Sequence, residues 1–324
     1  MLDGLKTLRG KEENMAILKC LPAVKDYLWG GDRLKREWNI KSDTEIAAEA
    51  WMLSCHPAGP STIAEGDYAG MTLPQALKAL GPDALGTAAS ACPDFPLLIK
   101  LIDARDRLSI QVHPDDAYAR SHGDRFGKTE MWVILDAAPD AFLYYGFRRP
   151  VTKEDFAAHI RANTLPEILN AVPVRPGDVF FIPPGTLHAI GAGILIAEIQ
   201  QSSNLTYRVY DYDRRDAQGN PRDLHIDQAL DVTICEPPKP QDFTPHLVKC
   251  PYFTVDRAHT VTQGTVDGGS FLSILPIDGE GEILLTETNE KTAFRRGDSL
   301  FIPAASGGYE ITGDAEVLLT RLTV

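Results

Sequence analysis

Apolar residues fall in short runs along this chain, and Gly and Pro punctuate them. Val179-Phe-Phe-Ile182 is followed at once by Pro183 and Pro184. A short β-branched and aromatic run that stops on Pro reads as a strand entering a turn. Comparable runs occupy 97–102, 109–112, 131–135, 141–145, 194–199 and 270–275. Helical spacing is confined to a few places. Thr72 caps an expected helix over 72–80, with Pro74 in its first turn and Gly81 as its stop. Thr152, with Asp155 three residues on, starts a second over 152–160. A continuation over 164–169 and a short helix over 227–232 complete the set. The pattern predicts an all-β protein with added helices, built as a sandwich or jelly roll.

An internal repeat sharpens that prediction. Arg175-Pro-Gly-Asp-Val-Phe-Phe-Ile-Pro183 parallels Arg295-Arg-Gly-Asp-Ser-Leu-Phe-Ile-Pro303, with six of nine positions identical at an offset of 120. Two copies of one β fold are therefore expected. Between them, Cys235-Glu-Pro-Pro-Lys-Pro-Gln-Asp-Phe-Thr-Pro245 holds four prolines in eleven residues, a stiff linker. The expected division is an extension at 1–14, a catalytic unit at 15–235, a linker at 236–245 and a C-terminal unit at 246–324. The copies differ after the shared strand: the first continues to His188, and the equivalent position of the second is Gly308. A metal can be bound at the first and not at the second.

Composition narrows the partners. The 324 residues carry 32 Lys and Arg against 45 Asp and Glu, a formal charge of −13. No basic block offers itself to nucleic acid, and no apolar run approaches the roughly 20 residues of a membrane span. The opening Met1-Leu-Asp-Gly-Leu5 and the residues after it lack the apolar core of a secretory signal. Five cysteines without a Cys-x-x-Cys pair fit a reducing cytoplasm. Nothing in the sequence sets an oligomeric state.

Candidate chemistry gathers in the first copy. Gln111 and His113 lie two apart in a strand-like run, so they share one face. Glu130 opens the next strand, and His188 follows the Pro183-Pro-Gly185 turn. Two imidazoles, a carboxylate and an amide oxygen suit a divalent transition metal with an open position; zinc and Fe(II) both fit such a set. Lys100 sits inside the apolar run 96–102, where an unpaired lysine is rarely tolerated. Trp29, Trp51 and Trp132 are expected in the core or cavity wall, His56 in a structural role, and Asp115 and Asp116 in a turn. Tyr210, Asp211 and Asp213 are expected to line the pocket or brace Arg208.

Gly177 through His188 is similar to the second motif of the cupin superfamily, with Ala192 where those proteins usually carry Asn. More specifically, the chain resembles the type I mannose-6-phosphate isomerases in their short bacterial form. The segments that carry the resemblance include Leu28-Trp-Gly-Gly-Asp32, Ala50-Trp-Met-Leu-Ser-Cys-His-Pro57, Leu108-Ser-Ile-Gln-Val-His-Pro-Asp-Asp116, Gly127-Lys-Thr-Glu-Met-Trp132 and Tyr207-Arg-Val-Tyr-Asp-Tyr-Asp213. It runs from about Met15 to the C-terminus. It implies two cupin-like jelly rolls, the C-terminal one degenerate. It implies interconversion of mannose 6-phosphate and fructose 6-phosphate through an enediol, with one Zn²⁺ per chain. His113, Glu130 and His188 would then be metal ligands. Gln111 would be either a fourth ligand, as in longer relatives, or a strand amide. Lys100, Ser109, Lys128 and Arg208 would hold the phosphate or support the chemistry, with Arg208 matching the family's catalytic arginine. The proton carrier would be Glu198, Lys128 or a hydroxide on the metal. Many members have Ser-Asp where this chain has Ser203-Asn204, and Asn cannot act as a base. Three other readings stay open: action on a different sugar phosphate, a catalytically silent sugar-phosphate binder, and an Fe(II) oxygenase.

Overall fold

Antiparallel strands dominate the computed structural model, which describes residues 17–215, 219–259 and 261–324. The expected extension at 1–14, and Met15, lie outside the described residues. A six-stranded sheet runs in the order Val179–Ile182, Glu130–Ala137, Ile194–Gln201, Leu97–Ala104, Glu49–Ser54, Ala23–Lys25. A five-stranded sheet runs Tyr207–Tyr210, Ile110–Val112, His188–Ala189, Phe142–Phe147, Leu169–Pro173. A third sheet is built mainly from residues 248–322, around the long hairpin of Leu272–Leu285 and Gly307–Leu322. Two short strands from earlier in the chain, Leu18–Leu21 and Thr62–Ile63, complete that third sheet by pairing onto Leu300–Ile302 and onto each other.

The central strands of the six-stranded sheet are buried along their whole length. Their alternate residues serve two cores. Leu97, Ile99 and Leu101 pack with Phe253, Phe271, Phe301 and Leu318 of the third sheet. Ile102, Trp132, Ile134 and Ile196 pack with Leu108, Leu143 and Ile190 between the first two sheets. Strands covered on both faces carry near-continuous apolar runs, and each buried Leu, Ile or Phe contributes about 1.5–3 kcal/mol relative to exposure. The wholly apolar core of the third sheet includes Ile274, Ile283, Phe294, Ile302 and Ile311.

The repeated motif builds the same turn twice. Gly177 and Gly297 take left-handed backbone angles, φ +94° and +85°. The carboxylates of Asp178 and Asp298 accept from the amides of Arg175 and Arg295 at 2.8 and 3.0 Å. A strand follows in both copies.

Helices are few. Leu73–Leu80 follows the expected cap residue Thr72, whose amide donates to Gln75 Oε1 at 2.9 Å, and stops at Gly81. Lys153–Arg161 is capped by Thr152, and Ile226–Val232 is the expected short helix. The 164–169 helix is only a 3-10 turn, Leu165–Glu167, and Leu169 already begins a strand. Asp115 and Asp116, expected in a plain turn, cap and open a helix, Asp116–Ser121. No described helix is long and apolar enough to cross a membrane.

Candidate metal centre

Two cross-strand rows, one on each N-terminal sheet, face each other. On the six-stranded sheet Trp132, Glu198, Lys100 and Trp51 are register partners in succession. On the five-stranded sheet Arg208, Gln111, His188 and Tyr145 are register partners. Residues opposite one another on neighbouring strands have adjoining side chains. Each row therefore gathers polar groups that lie far apart in sequence. Glu130 joins the first row from the same face as Trp132, two residues away. His113, one residue past its strand, closes the gap between the sheets.

His113, Glu130 and His188 are all buried, and their ligand atoms lie within 4.8 Å of one another. His188 Nε2 is 3.2 Å from Glu130 Oε1, and His113 Nε2 is 3.6 Å from Oε2. Each imidazole uses Nδ1 on a backbone carbonyl: Leu205 for His113 at 2.8 Å and Thr186 for His188 at 2.9 Å. That bond fixes the tautomer and leaves Nε2 as the acceptor on the side of Glu130, where Lys128 Nζ lies 3.1 Å from His113 Nε2. Burial keeps both rings neutral, with His188 pushed down to about 4 and His113 well below its ordinary value. Burial also raises the Glu130 carboxyl above the usual carboxylate range, a shift a bound dication reverses. Neither Glu130 oxygen receives an aligned hydrogen bond, although Lys128 Nζ lies 2.8 Å from Oε2. Two neutral nitrogens and an orphaned carboxylate suit a divalent metal. Gln111 stands beside them, its Nε2 3.5 Å from His188 Nε2.

A cavity of about 310 Å³ opens above this group. Ser109, Gln111, Lys128, His188 and Arg208 line it. Lys100 and Glu198 also line it, and they are already paired with each other at 3.0 Å. Lys100 Nζ is also 3.6 Å from Glu49, and Trp132 Nε1 donates to Glu198 at 2.9 Å. Burial would strip Lys100 of its proton, but Glu198 and Glu49 outweigh it and hold the ammonium charged. Burial pushes the Glu198 carboxyl up, and Lys100 and Lys128 outweigh it downward. Removing one member of such a pair strands the other. Lys100→Met is therefore expected to cost about 3–5 kcal/mol of folding stability. Urea unfolding of the metal-free protein checks this, and an unchanged midpoint would refute it.

Arg208 reaches across the mouth. Its Nε donates to Ser109 Oγ at 3.2 Å and its Nη1 to the Asp223 carbonyl at 2.9 Å. Arg222 also borders the cavity. It is held by the buried Asp211 carboxylate, which takes Arg222 Nε at 2.7 Å and also binds Arg214. Asp211 thus braces Arg222, rather than Arg208, in this structure. Tyr212, between Asp211 and Asp213, lies against the guanidinium of Arg107. Asn204 is on the cavity rim.

Lys100, Ser109, Gln111, Lys128, His188, Glu198 and Arg208 line one cavity beside His113 and Glu130, whereas Tyr210, Asp211 and Asp213 do not line it. The structure adds Glu49 and Arg222, which sequence reasoning missed. Glu49 had a signal, a carboxylate entering the buried run Ala50-Trp-Met-Leu53, but its partner Lys100 lies fifty residues on. Arg222 sits in a polar loop with no periodicity to flag it.

Residues 17–140 match the model for the catalytic domain of phosphomannose isomerase type I, and residues 244–322 match that for the mannose-6-phosphate isomerase cupin domain. A mannose-6-phosphate isomerase of Streptococcus mutans is 39% identical over 308 residues, covering 91% of this chain and 94% of that protein. The Bacillus subtilis mannose-6-phosphate isomerase ManA is 36% identical, covering 93% and 97%. A crystal structure of the mannose 6-phosphate isomerase from Bacillus subtilis superposes with a TM-score of 0.85 at 31% identity, over 94% of this chain and 99% of the other.

Proposed function

The chain belongs to the type I phosphomannose isomerase family, and from that premise we propose that it interconverts mannose 6-phosphate and fructose 6-phosphate with one zinc ion per chain. The mannose-6-phosphate isomerase activity follows from the family. The observation that carries the metal is the buried group His113, Glu130 and His188, whose ligand atoms converge below a cavity, with Lys128 Nζ standing 3.1 Å from His113 Nε2 and 2.8 Å from Glu130 Oε2 where a cation would sit. Gln111 stands where a fourth ligand would be.

The reaction moves a proton between C1 and C2 through an enediol, so charge develops on the sugar oxygens. Zinc, when bound, supplies Lewis acidity toward those oxygens without redox chemistry. Arg208 stabilises the same charge from the mouth of the cavity, as a guanidinium fixed by Ser109 and Asp223. For proton transfer the wall offers Glu198 and Lys128. Glu198 is held ionised by Lys100 and can accept a proton; Lys128 adjoins the metal group. The phosphate is placed at the mouth, where Arg208 and Arg222 stand together, with Ser109 as a hydroxyl donor and Lys100 and Lys128 deeper in. The cavity is at the small end of the roughly 300–1,000 Å³ typical of ligand sites, suited to one monosaccharide phosphate.

The finer fold reading goes with this function. The two N-terminal sheets form a cupin-like jelly roll that holds the site, and the third sheet forms a degenerate second roll. Gly308, which has no side chain to offer a ligand, stands where His188 stands in the first copy. All five cysteines are free, which fits a reducing cytoplasm. A complete donor set with Arg208 favours turnover over silent binding.

The test is conversion of mannose 6-phosphate by the zinc-loaded protein in D₂O. Fructose 6-phosphate carrying solvent deuterium at C1 is expected from proton transfer through an enediol. No conversion by a folded, zinc-loaded protein would overturn the assignment.

A further inference from the structure

We propose that Gln201, together with Asp116, is a positioning residue for the metal centre, a role that rests on the metal reading above. Neither residue lines the cavity. The pairing of Glu130–Ala137 with Ile194–Gln201 runs out beside the metal group. Glu130 is opposite Gln200, and that is the last register pair of the ladder. Gln201 N still donates to the Thr129 carbonyl at 3.1 Å. The Gln201 carbonyl, however, accepts from Gln200 Nε2 at 2.7 Å. The Thr129 amide is instead met by the Gln201 side chain, Oε1, at 2.9 Å. One side chain thus supplies a rung of the ladder at the peptide between Lys128 and Glu130.

The other end of that side chain is equally committed. Gln201 Nε2 donates to Asp116 Oδ1 at 2.9 Å, and the same oxygen accepts from Gly127 N at 2.8 Å. Lys128 N donates to the Pro114 carbonyl at 3.0 Å. Gly127 has no room for a side chain: a Cβ there would lie 2.4 to 2.7 Å from backbone atoms of Pro114, Asp115 and Asp116. One buried amide, 2% exposed, therefore ties together three segments. They carry His113, the Lys128–Glu130 pair and Glu198.

Only an amide satisfies this place. An acceptor must face Thr129 N and a donor must face the Asp116 carboxylate. With the knot intact, Lys128 and Glu130 project from one face of a strand fixed on both sides. With it cut, the first residues of that strand are free to shift, and Glu130 is the first of them. Metal sites tolerate only about 0.2 Å of error in ligand distance, and losing a partner that orients a ligand typically costs about 10–100-fold in metal affinity.

The experiment is chelator competition for Zn²⁺ on the wild type, Gln201→Leu, Gln201→Glu and Gln201→Glu/Asp116→Asn, beside urea unfolding of each metal-free protein. Gln201→Glu keeps the acceptor for Thr129 N but sets two carboxylates against each other. The double variant puts an amide donor opposite the new carboxylate but weakens the acceptor that Gly127 N uses, so its recovery is partial. The expected result is Zn²⁺ binding weakened about 10–100-fold in both single variants and recovered toward wild type in the double. At saturating zinc, kcat is expected to fall with KM for mannose 6-phosphate unchanged. Single variants that bind Zn²⁺ as the wild type does, whatever their unfolding midpoints, would overturn the proposal. So would a double variant no better than Gln201→Glu. If Gln201→Leu does not fold, the comparison of Gln201→Glu with the double decides. A wild type that does not bind Zn²⁺ would instead refute the metal reading itself.

Discussion

His188→Ala is expected to lower kcat/KM for mannose 6-phosphate by about 10³-fold or more. His188 supplies one of two imidazole nitrogens, on a two-residue strand entered from the Gly185 turn. Its Nδ1 is already spent on Thr186, so the ring has a single task for Nε2. Alanine leaves His113 and Glu130, with Glu130 Oε1 facing a void. Two protein ligands are too few for a catalytic zinc site, which normally has three. Losing Lewis-acid stabilisation worth several kcal/mol removes a factor of ten for each 1.36 kcal/mol. The purified variant is expected to hold far less than one zinc per chain. Chelated wild type should show the same residual rate and recover fully when zinc is returned, while the variant does not recover at the same zinc concentration. His188 is in the wall against Trp132, its ring edge-on at 5.3 Å, so unfolding is followed in parallel. A folded variant that keeps zinc-dependent turnover would remove His188 from the metal centre.

What was legible in the sequence was local. The Pro183-Pro-Gly185 turn announces His188, and the Gly-Asp turns reveal the repeat because each is fixed within four residues. Lys100 stood out because a lysine within an apolar run requires a partner. The partner itself was not legible. Glu49 meets Lys100 only because Glu49–Ser54 pairs with Leu97–Ala104, and strand order is set by packing across the whole chain. The same holds for Leu18–Leu21, which crosses to the third sheet. Asp115 and Asp116 read as a turn because the six residues of Asp116–Ser121 are too few to display helical periodicity. Gln201 carried no signal at all: its role depends on a carbonyl turned out of the ladder, which only coordinates reveal.

Arg208→Lys is expected to lower kcat by about 10²–10³-fold, the range seen when one preorganised donor to a developing oxyanion is lost. Charge alone does not explain why arginine stands there, because lysine would supply it. The guanidinium is a planar fork held at two points, Nε on Ser109 Oγ and Nη1 on the Asp223 carbonyl. Those bonds aim what remains of the fork at the cavity before substrate arrives. A lysine ammonium at the end of a flexible stem keeps the positive charge but can make only part of this arrangement. Burial and the neighbouring Arg222 press the Arg208 pKa downward, though guanidinium stays protonated at neutral pH. A substitution that retained charge and lost geometry would therefore separate the two contributions. If geometry governs, kcat falls much more than KM rises, and zinc affinity stays at the wild-type value because Arg208 is not a ligand. Arg208→Ala with added guanidinium ion should then recover part of the lost rate, since the cavity left behind keeps Ser109 Oγ and the Asp223 carbonyl as acceptors. If Arg208→Lys instead raises KM and leaves kcat intact, the residue binds phosphate uniformly in ground and transition states. The developing charge on the sugar oxygens would then fall to Lys128 and the metal alone.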